Sequence, residues 1–229
     1  MERNRGSQVL AIVALLLAVG GLSLGFAAFS QTLTIQSSAE VNPVDKFNVE
    51  FFGDNNTTSV AGVTSDSKVT GLQAATATIN DSNHTITGLK ATFTEPGQSV
   101  TYTFKARNTG EYIAYLRQVA FAQPTGASGN ALSVCAPKAS SDNPATQSLV
   151  DAACDDITLS VKVGSETAVT GNQTYTGTTH SLAAASTFGG TDGGEDTVVV
   201  TITYAANGDI ADGDFTVTFG DVTIDYRSV

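Results

Sequence analysis

Apolar residues follow two different rules along this chain. From Val9 to Phe29 they run with little interruption, and no charged residue lies between Arg5 and Glu40. From Phe47 onward they alternate with polar residues in short stretches separated by Gly, Asn, Asp and Pro. The first pattern predicts a helix of membrane length, the second a series of half-buried strands. The two overlap at Ala28-Phe29-Ser30-Gln31-Thr32-Leu33-Thr34-Ile35. There Phe29, Leu33 and Ile35 share one strand parity, and Ser30, Thr32, Thr34 and Gln36 share the other.

The strands can be read in order. Phe47 to Phe51 alternates and stops at Gly53-Asp54-Asn55-Asn56, after which residues 55 to 70 are small and polar and predict an exposed loop. Ala75 to Ile79, Thr85 to Leu89 and Ala91 to Phe93 follow, the last closed by Pro96-Gly97. The clearest stretch is Ser99 to Arg107, with Val100, Tyr102, Phe104 and Ala106 on one face and Thr101, Thr103, Lys105 and Arg107 on the other. Ile113 to Phe121 gives a second strand, with Ile113, Tyr115, Val119 and Phe121 assigned to its apolar parity. Residues 122 to 155 break the alternation and read as an excursion. Ile157 to Val163, Val198 to Tyr204, Phe215 to Phe219 and Val222 to Tyr226 resume it. No amphipathic helix is expected after the apolar run. Short strands with turn residues between them predict an all-β, antiparallel β-sandwich, preceded by one hydrophobic export or anchor helix.

The apolar run supports three readings. A helix from Val9 to Phe29 would span roughly 30 Å, one hydrocarbon core, and so fits a retained anchor. It also has the parts of a secretory signal: Arg3 and Arg5 ahead of it, the core Val9 to Val19, and small residues at Gly25 and Ala27 for a cut between Ala27 and Ala28. Arg5-Gly6-Ser7-Gln8 allows a third, prepilin-type cut after Gly6 that would leave the helix on the mature protein, with Ala11 at the fifth mature position. The basic flank lies only on the N-terminal side, so each reading sends the rest of the chain out across the cytoplasmic membrane. The domain organisation expected is therefore 1–27 as signal or anchor and 28–229 as one sandwich, with an insertion at about 122–155.

Composition narrows the partners. The formal net charge is −11, and removing Glu2, Arg3 and Arg5, a net +1, leaves −12 on the exported part. That excess repels nucleic acid and anionic lipid headgroups. Cys135 and Cys154 are the only cysteines, and two cysteines in an exported chain are expected to pair. The loop they close, about 20 residues, contributes roughly 3 kcal/mol in the chain-entropy view.

Candidate chemistry is sparse. Zinc peptidases need two histidines one helical turn apart with a glutamate base; His84 and His180 are the only histidines and stand in polar loop contexts. A G-x-S-x-G elbow and a phosphate-binding glycine loop are absent from the sequence. Asp192, Glu195 and Asp196, or Asp209, Asp212 and Asp214, supply hard oxygens for calcium without the EF-hand spacing, and read as solvated turns. Asn55, Asn56, Asn80, Asn83 and Asn172 each open an N-x-S/T triplet. Tyr102, Phe104, Tyr115 and Phe121 are expected in the core by parity. No catalytic residue, metal or cofactor is assigned.

Three segments carry a resemblance. Gly25 to Ile35 resembles the export junction of TasA/camelysin-like proteins, whose signals are cut by a SipW-type peptidase. Pro96-Gly97-Gln98-Ser99-Val100-Thr101-Tyr102-Thr103-Phe104-Lys105-Ala106-Arg107-Asn108-Thr109-Gly110 resembles that family's Pro-Gly turn, strand and N-x-G turn. Phe215 to Phe219 through Tyr226 is similar to its terminal strands. The resemblance implies a jelly-roll sandwich that builds extracellular filaments or biofilm matrix. Camelysin-type members have been called metalloproteases, but the segments matched here carry no metal-ligand set, and the stretch 122–155 has no counterpart. The expected function is a non-enzymatic cell-surface structural subunit that self-associates through Phe29, Leu33 and Ile35, with envelope or matrix components as further partners and membrane contact through residues 9–29. The alternatives are a surface binding module or adhesin, a pilin-like subunit keeping the helix, and a camelysin-like metallopeptidase.

Overall fold

A computed structural model describes residues 46–64, 71–80, 83–127, 129, 131–139 and 142–228, together with the backbone of 30–35. The strands in the first half of the chain are β1 (Ser30–Ile35), β2 (Val49–Phe52), β3 (Ser59–Ala61), β4 (Val63–Thr64), β5 (Gln73–Ala74), β6 (Thr76–Asn80), β7 (Thr85–Thr87) and β8 (Ala91–Phe93). They continue as β9 (Ser99–Asn108), β10 (Ala114–Phe121), β11 (Ser133–Pro137) and β12 (Ile157–Val163). The last are β13 (Gln173–Thr174), β14 (Ser181–Leu182), β15 (Glu195–Tyr204), β16 (Phe215–Phe219) and β17 (Val222–Arg227), and one α-helix, α1 (Gln147–Cys154), lies between β11 and β12.

Three sheets result. The largest runs β13-β10-β17-β1-β7-β6-β3, with β14 also on β10. The second runs β12-β15-β9-β2, with β4 on β9, and the third β11-β16-β8-β5. Among the described strands every pairing is antiparallel except β1 with β7. The architecture is all-β, with antiparallel layers around one continuous apolar core. Val100, Tyr102 and Phe104 of β9 are fully buried, as their alternation requires. Phe93, Tyr204 and Phe215 join the second and third sheets through edge-on rings 5.7–6.0 Å apart for the two T-shaped pairs.

Three expectations are corrected. First, β10 does not keep one parity: its register shifts between Leu116 and Gln118 against β17. The extra residue moves the buried side from even positions, Ala114 and Leu116, to odd ones, Val119 and Phe121. Ile113 is consequently exposed, and Tyr115 is half-buried with the Arg117 guanidinium over its ring at 5.7 Å. Second, a helix does occur after residue 29. α1 has only two turns, too short for a periodic signal, and buries Val150 and Ala153. Third, Ser59–Ala61 and Val63–Thr64 form short strands within the stretch expected as loop.

Cys135 and Cys154 form a disulfide with Cα atoms 5.9 Å apart. Cys135 lies in β11, a member of the third sheet, and Cys154 is the last residue of α1. The bond therefore staples a helix to a sheet, and the strand inside 122–155 is scaffold.

Candidate functional site

Leu33 and Ile35, expected to mediate self-assembly, fall in β1; Phe29 and the expected cleavage pair Ala27 and Ala28 lie outside the described residues, as does the run 9–29. β1 occupies an interior position of the largest sheet. It pairs antiparallel with β17 over six residues, from Ser30 opposite Arg227 to Ile35 opposite Val222. On its other side it pairs parallel with β7, Thr34 beside Thr85 and Ile35 beside Ile86. Without β1, both β17 and β7 would present open backbone donors and acceptors, and β7-β6-β3 would lose its link to β17.

The walls of this slot are uneven. Val222, Ile224 and Tyr226 of β17 and Ile86 of β7 are buried in the core. On the opposite face Asp225 is 5 % exposed, and its Oδ2 accepts from Arg227 Nε at 2.8 Å. Asp225 Oδ1 and Thr85 Oγ1, on the two strands that flank β1, are buried without a hydrogen-bond partner among the described residues. Burial pushes the Asp225 carboxyl above the ordinary carboxylate range, and the Arg227 guanidinium only partly offsets it.

A second cluster was missed by sequence reasoning. His180 is not a solvated loop residue: its side chain is 9 % exposed and lies between two carboxylates. Nδ1 contacts Glu166 Oε1 at 2.9 Å, and Nε2 contacts Asp196 Oδ2 at 2.6 Å. Tyr226 donates its hydroxyl to the same Asp196 oxygen at 2.8 Å. Asp196 can reach these partners because β15 begins at Glu195, earlier than the alternation suggested, which puts Asp196 on the parity of Val198 and Val200. Gly164 turns the chain from β12 toward Glu166 with φ +54°, and a Cβ there would strike Asp196 Oδ1 and come within 2.8 Å of His180 Cε1. That glycine was the one local sign of a close approach.

The electrostatics of the clamp follow from its geometry. Burial by itself pulls the His180 pKa down, but the hydrogen bonds and charges of Asp196 and Glu166 outweigh it, and the net direction is up. Burial, reinforced by the Asp196 charge, holds the Tyr226 phenol well above its usual value, so it remains a donor. Both imidazole nitrogens are engaged with protein carboxylates at contact distance, which leaves the ring no nitrogen for a substrate or ion. Among the described residues no group of three or more His, Cys, Asp or Glu is arranged to hold a metal. The other histidine, His84, meets Asn48 Oδ1 through Nε2 at 2.8 Å, and Asn48 in turn donates to Thr109 Oγ1 at 2.8 Å.

Of the acidic turns, Asp212 accepts from Thr146 N at 2.6 Å at the start of α1, and Asp192 accepts from Ser186 N at 3.2 Å. Hydrogen bonds from the Thr146 and Ser186 side chains, together with these from their backbone N–H groups, lower both carboxyls. Both are thus employed as turn and cap acceptors.

No family model matches the chain, and no curated protein sequence or solved structure matches it either.

Proposed function

We propose that the chain is an exported, non-enzymatic cell-surface structural protein whose copies join by exchanging the N-terminal strand, building filaments or matrix. One observation carries this reading: β1 fills a slot inside a sheet, between β17 and β7, and residues 36–45 link it along the chain to Lys46. A neighbour's segment 28–36 would make the same backbone hydrogen bonds to β17 and β7. Exchange in one direction does not close and so gives filaments. The disulfide is compatible with an oxidising, exported environment, and the strong negative charge suits a solvated surface subunit. In the same reading the antiparallel layers form a jelly roll of TasA/camelysin type, preceded by the export helix.

Deleting Ala28 to Gln36 tests the reading. The expected result is a folded protein that no longer polymerises, and whose slot takes up a synthetic peptide of that sequence. A deletion variant that unfolds, or that still forms filaments under negative-stain microscopy, overturns strand exchange in favour of an ordinary first strand.

A further inference from the structure

Strand register sorts the molecule into two ends. Ser30 of β1, Arg227 of β17 and Tyr115 of β10 lie side by side at one end. Ile35, Val222 and Phe121 lie side by side at the other. The first end carries the β9–β10 loop and Lys46. Glu111 N donates to the Lys46 carbonyl at 2.7 Å, Lys46 Nζ donates to Glu111 Oε2 at 2.8 Å, and Phe188 N donates to Glu111 Oε1 at 3.2 Å. These contacts gather three apolar side chains left in solvent: Tyr112, Ile113 and Phe188, 42 %, 46 % and 49 % exposed. The other exposed large hydrophobics among the described residues, Val63, Leu149 and Ile210, sit on β4, on α1 and in the connection between β15 and β16.

The second end carries a groove of about 340 Å³, lined by Gln123, Pro124, Thr218, Phe219 and Gly220 among others. It lies at the turn between β16 and β17, where Ala122 N donates to the Asp221 carbonyl at 2.8 Å. Ile35 leaves the slot beside this turn, because its register partner is Val222.

The connection between the ends is short. Ten residues, 36–45, join Ile35 to Lys46, and ten residues span at most roughly 35 Å. Within one chain the two ends that they join are separated by a six-residue strand, roughly 20 Å. When β1 sits in another copy, the same limit holds the donor's first end near the acceptor's second end. We infer that Tyr112, Ile113 and Phe188 form a head that seats in the Gln123–Phe219 groove of the preceding copy, a side-chain contact that accompanies strand exchange. The inference rests on the strand-exchange reading and names its second surface. The two surfaces differ, so the contact is heterologous and repeats without closing. The head side chains carry no charge, which suits copies that are each strongly negative, and salt should speed their assembly by screening that repulsion.

The test uses protein recovered from outside producing cells. Ile113→Asp with Phe188→Asp alters the head, and Thr218→Glu with Gln123→Glu alters the groove. All four positions are exposed, so both variants should keep the wild-type melting temperature and the disulfide. Filament growth, followed by light scattering, should slow at least tenfold in each. Mixing the two variants should give dimers and stop there, since one keeps the groove and the other the head. Either variant growing at the wild-type rate overturns the contact while leaving strand exchange to the deletion of Ala28 to Gln36. A wild type that stays monomeric overturns both. Flotation with phosphatidylcholine vesicles that the head variant loses, with filament growth unchanged, would make the patch a membrane contact and overturn the inference.

Discussion

The β9–β15 ladder and the β10-β17-β1 stack are both antiparallel, yet they are built to different tolerances. The ladder pairs nine residues without a shift, from Glu195 opposite Arg107 to Thr203 opposite Ser99. Its inner face is apolar along nearly its whole length, and its outer face ends in the Arg107–Glu195 ion pair. The stack has a bulge in β10, a buried carboxylate in β17, and a strand supplied from the beginning of the chain. Continuous pairing over an apolar face fixes the first region. The second trades some of that continuity for polar groups on its outer face and for a slot between β17 and β7 that β1 fills.

The sharpest way to break this contrast is to charge the ladder's inner face. Tyr102 is fully buried, and its hydroxyl donates to the carbonyls of Ala75 and Lys90. Tyr102→Asp puts a carboxylate where no cation waits, with a loss of about 4 kcal/mol or more in urea unfolding. Thr101→Asp, on the other face beside Thr201, should cost less than about 1 kcal/mol. Equal costs would mean that the two faces do not differ.

Next comes the staple between β11 and α1. Cys135→Ala with Cys154→Ala should lower stability by about 3 kcal/mol and release α1, the only α-helix among the described residues. In the wild type, alkylation without reduction should label neither thiol. Labelling of both in exported protein would refute the pairing.

A smaller effect separates the clamp from both regions. Glu166 from the turn after β12, Asp196 from β15 and Tyr226 from β17 face the His180 cluster, and Tyr175 lies close enough to act on Tyr226. The His180 pKa is higher in the folded than in the unfolded state, so folding takes up protons there. Its stabilisation is complete below the unfolded value of about 6.5 and is lost as pH rises through the folded value. Melting temperatures measured from pH 6 to 9 should fall more in the wild type than in His180→Gln. Parallel curves would show that the clamp does not titrate.

The smallest effect tests the polar face of the stack. Asp225→Asn removes a buried charge, and Arg227, half exposed, stays solvated. Stability at pH 7 should move by less than about 1 kcal/mol. The Asp225 pKa is also raised on folding, so its contribution falls as pH rises, and the variant should lose that acid-side dependence. A loss of several kcal/mol would make Asp225 a structural ion pair.

Much of the ladder was readable from spacing alone. Val100, Tyr102, Phe104, Val198, Val200 and Ile202 alternate, and a period of two with one apolar face decides which side chains of each strand are buried, because a one-residue slip would expose them all. The β10 bulge was not readable, because Ile113, Tyr115, Val119 and Phe121 look like one parity until the partner strand shows where the extra residue sits. α1 leaves little trace in the sequence for a similar reason: two turns pinned by a disulfide need little amphipathic pattern.

The chain's order of residues determined the longer alternating strands, the burial of the β9 and β15 faces and the pairing of Cys135 with Cys154, since each depends on near neighbours or on there being only two cysteines. Tertiary structure alone decided that Glu166, His180 and Asp196 meet, that Tyr226 reaches them from another sheet, and that β1 lies between β17 and β7. Alternation is a local property with a period of two residues. Which strand lies beside which, and so which polar side chains share a site, depends on register between segments up to about 200 residues apart, such as β1 and β17, and no local pattern encodes it.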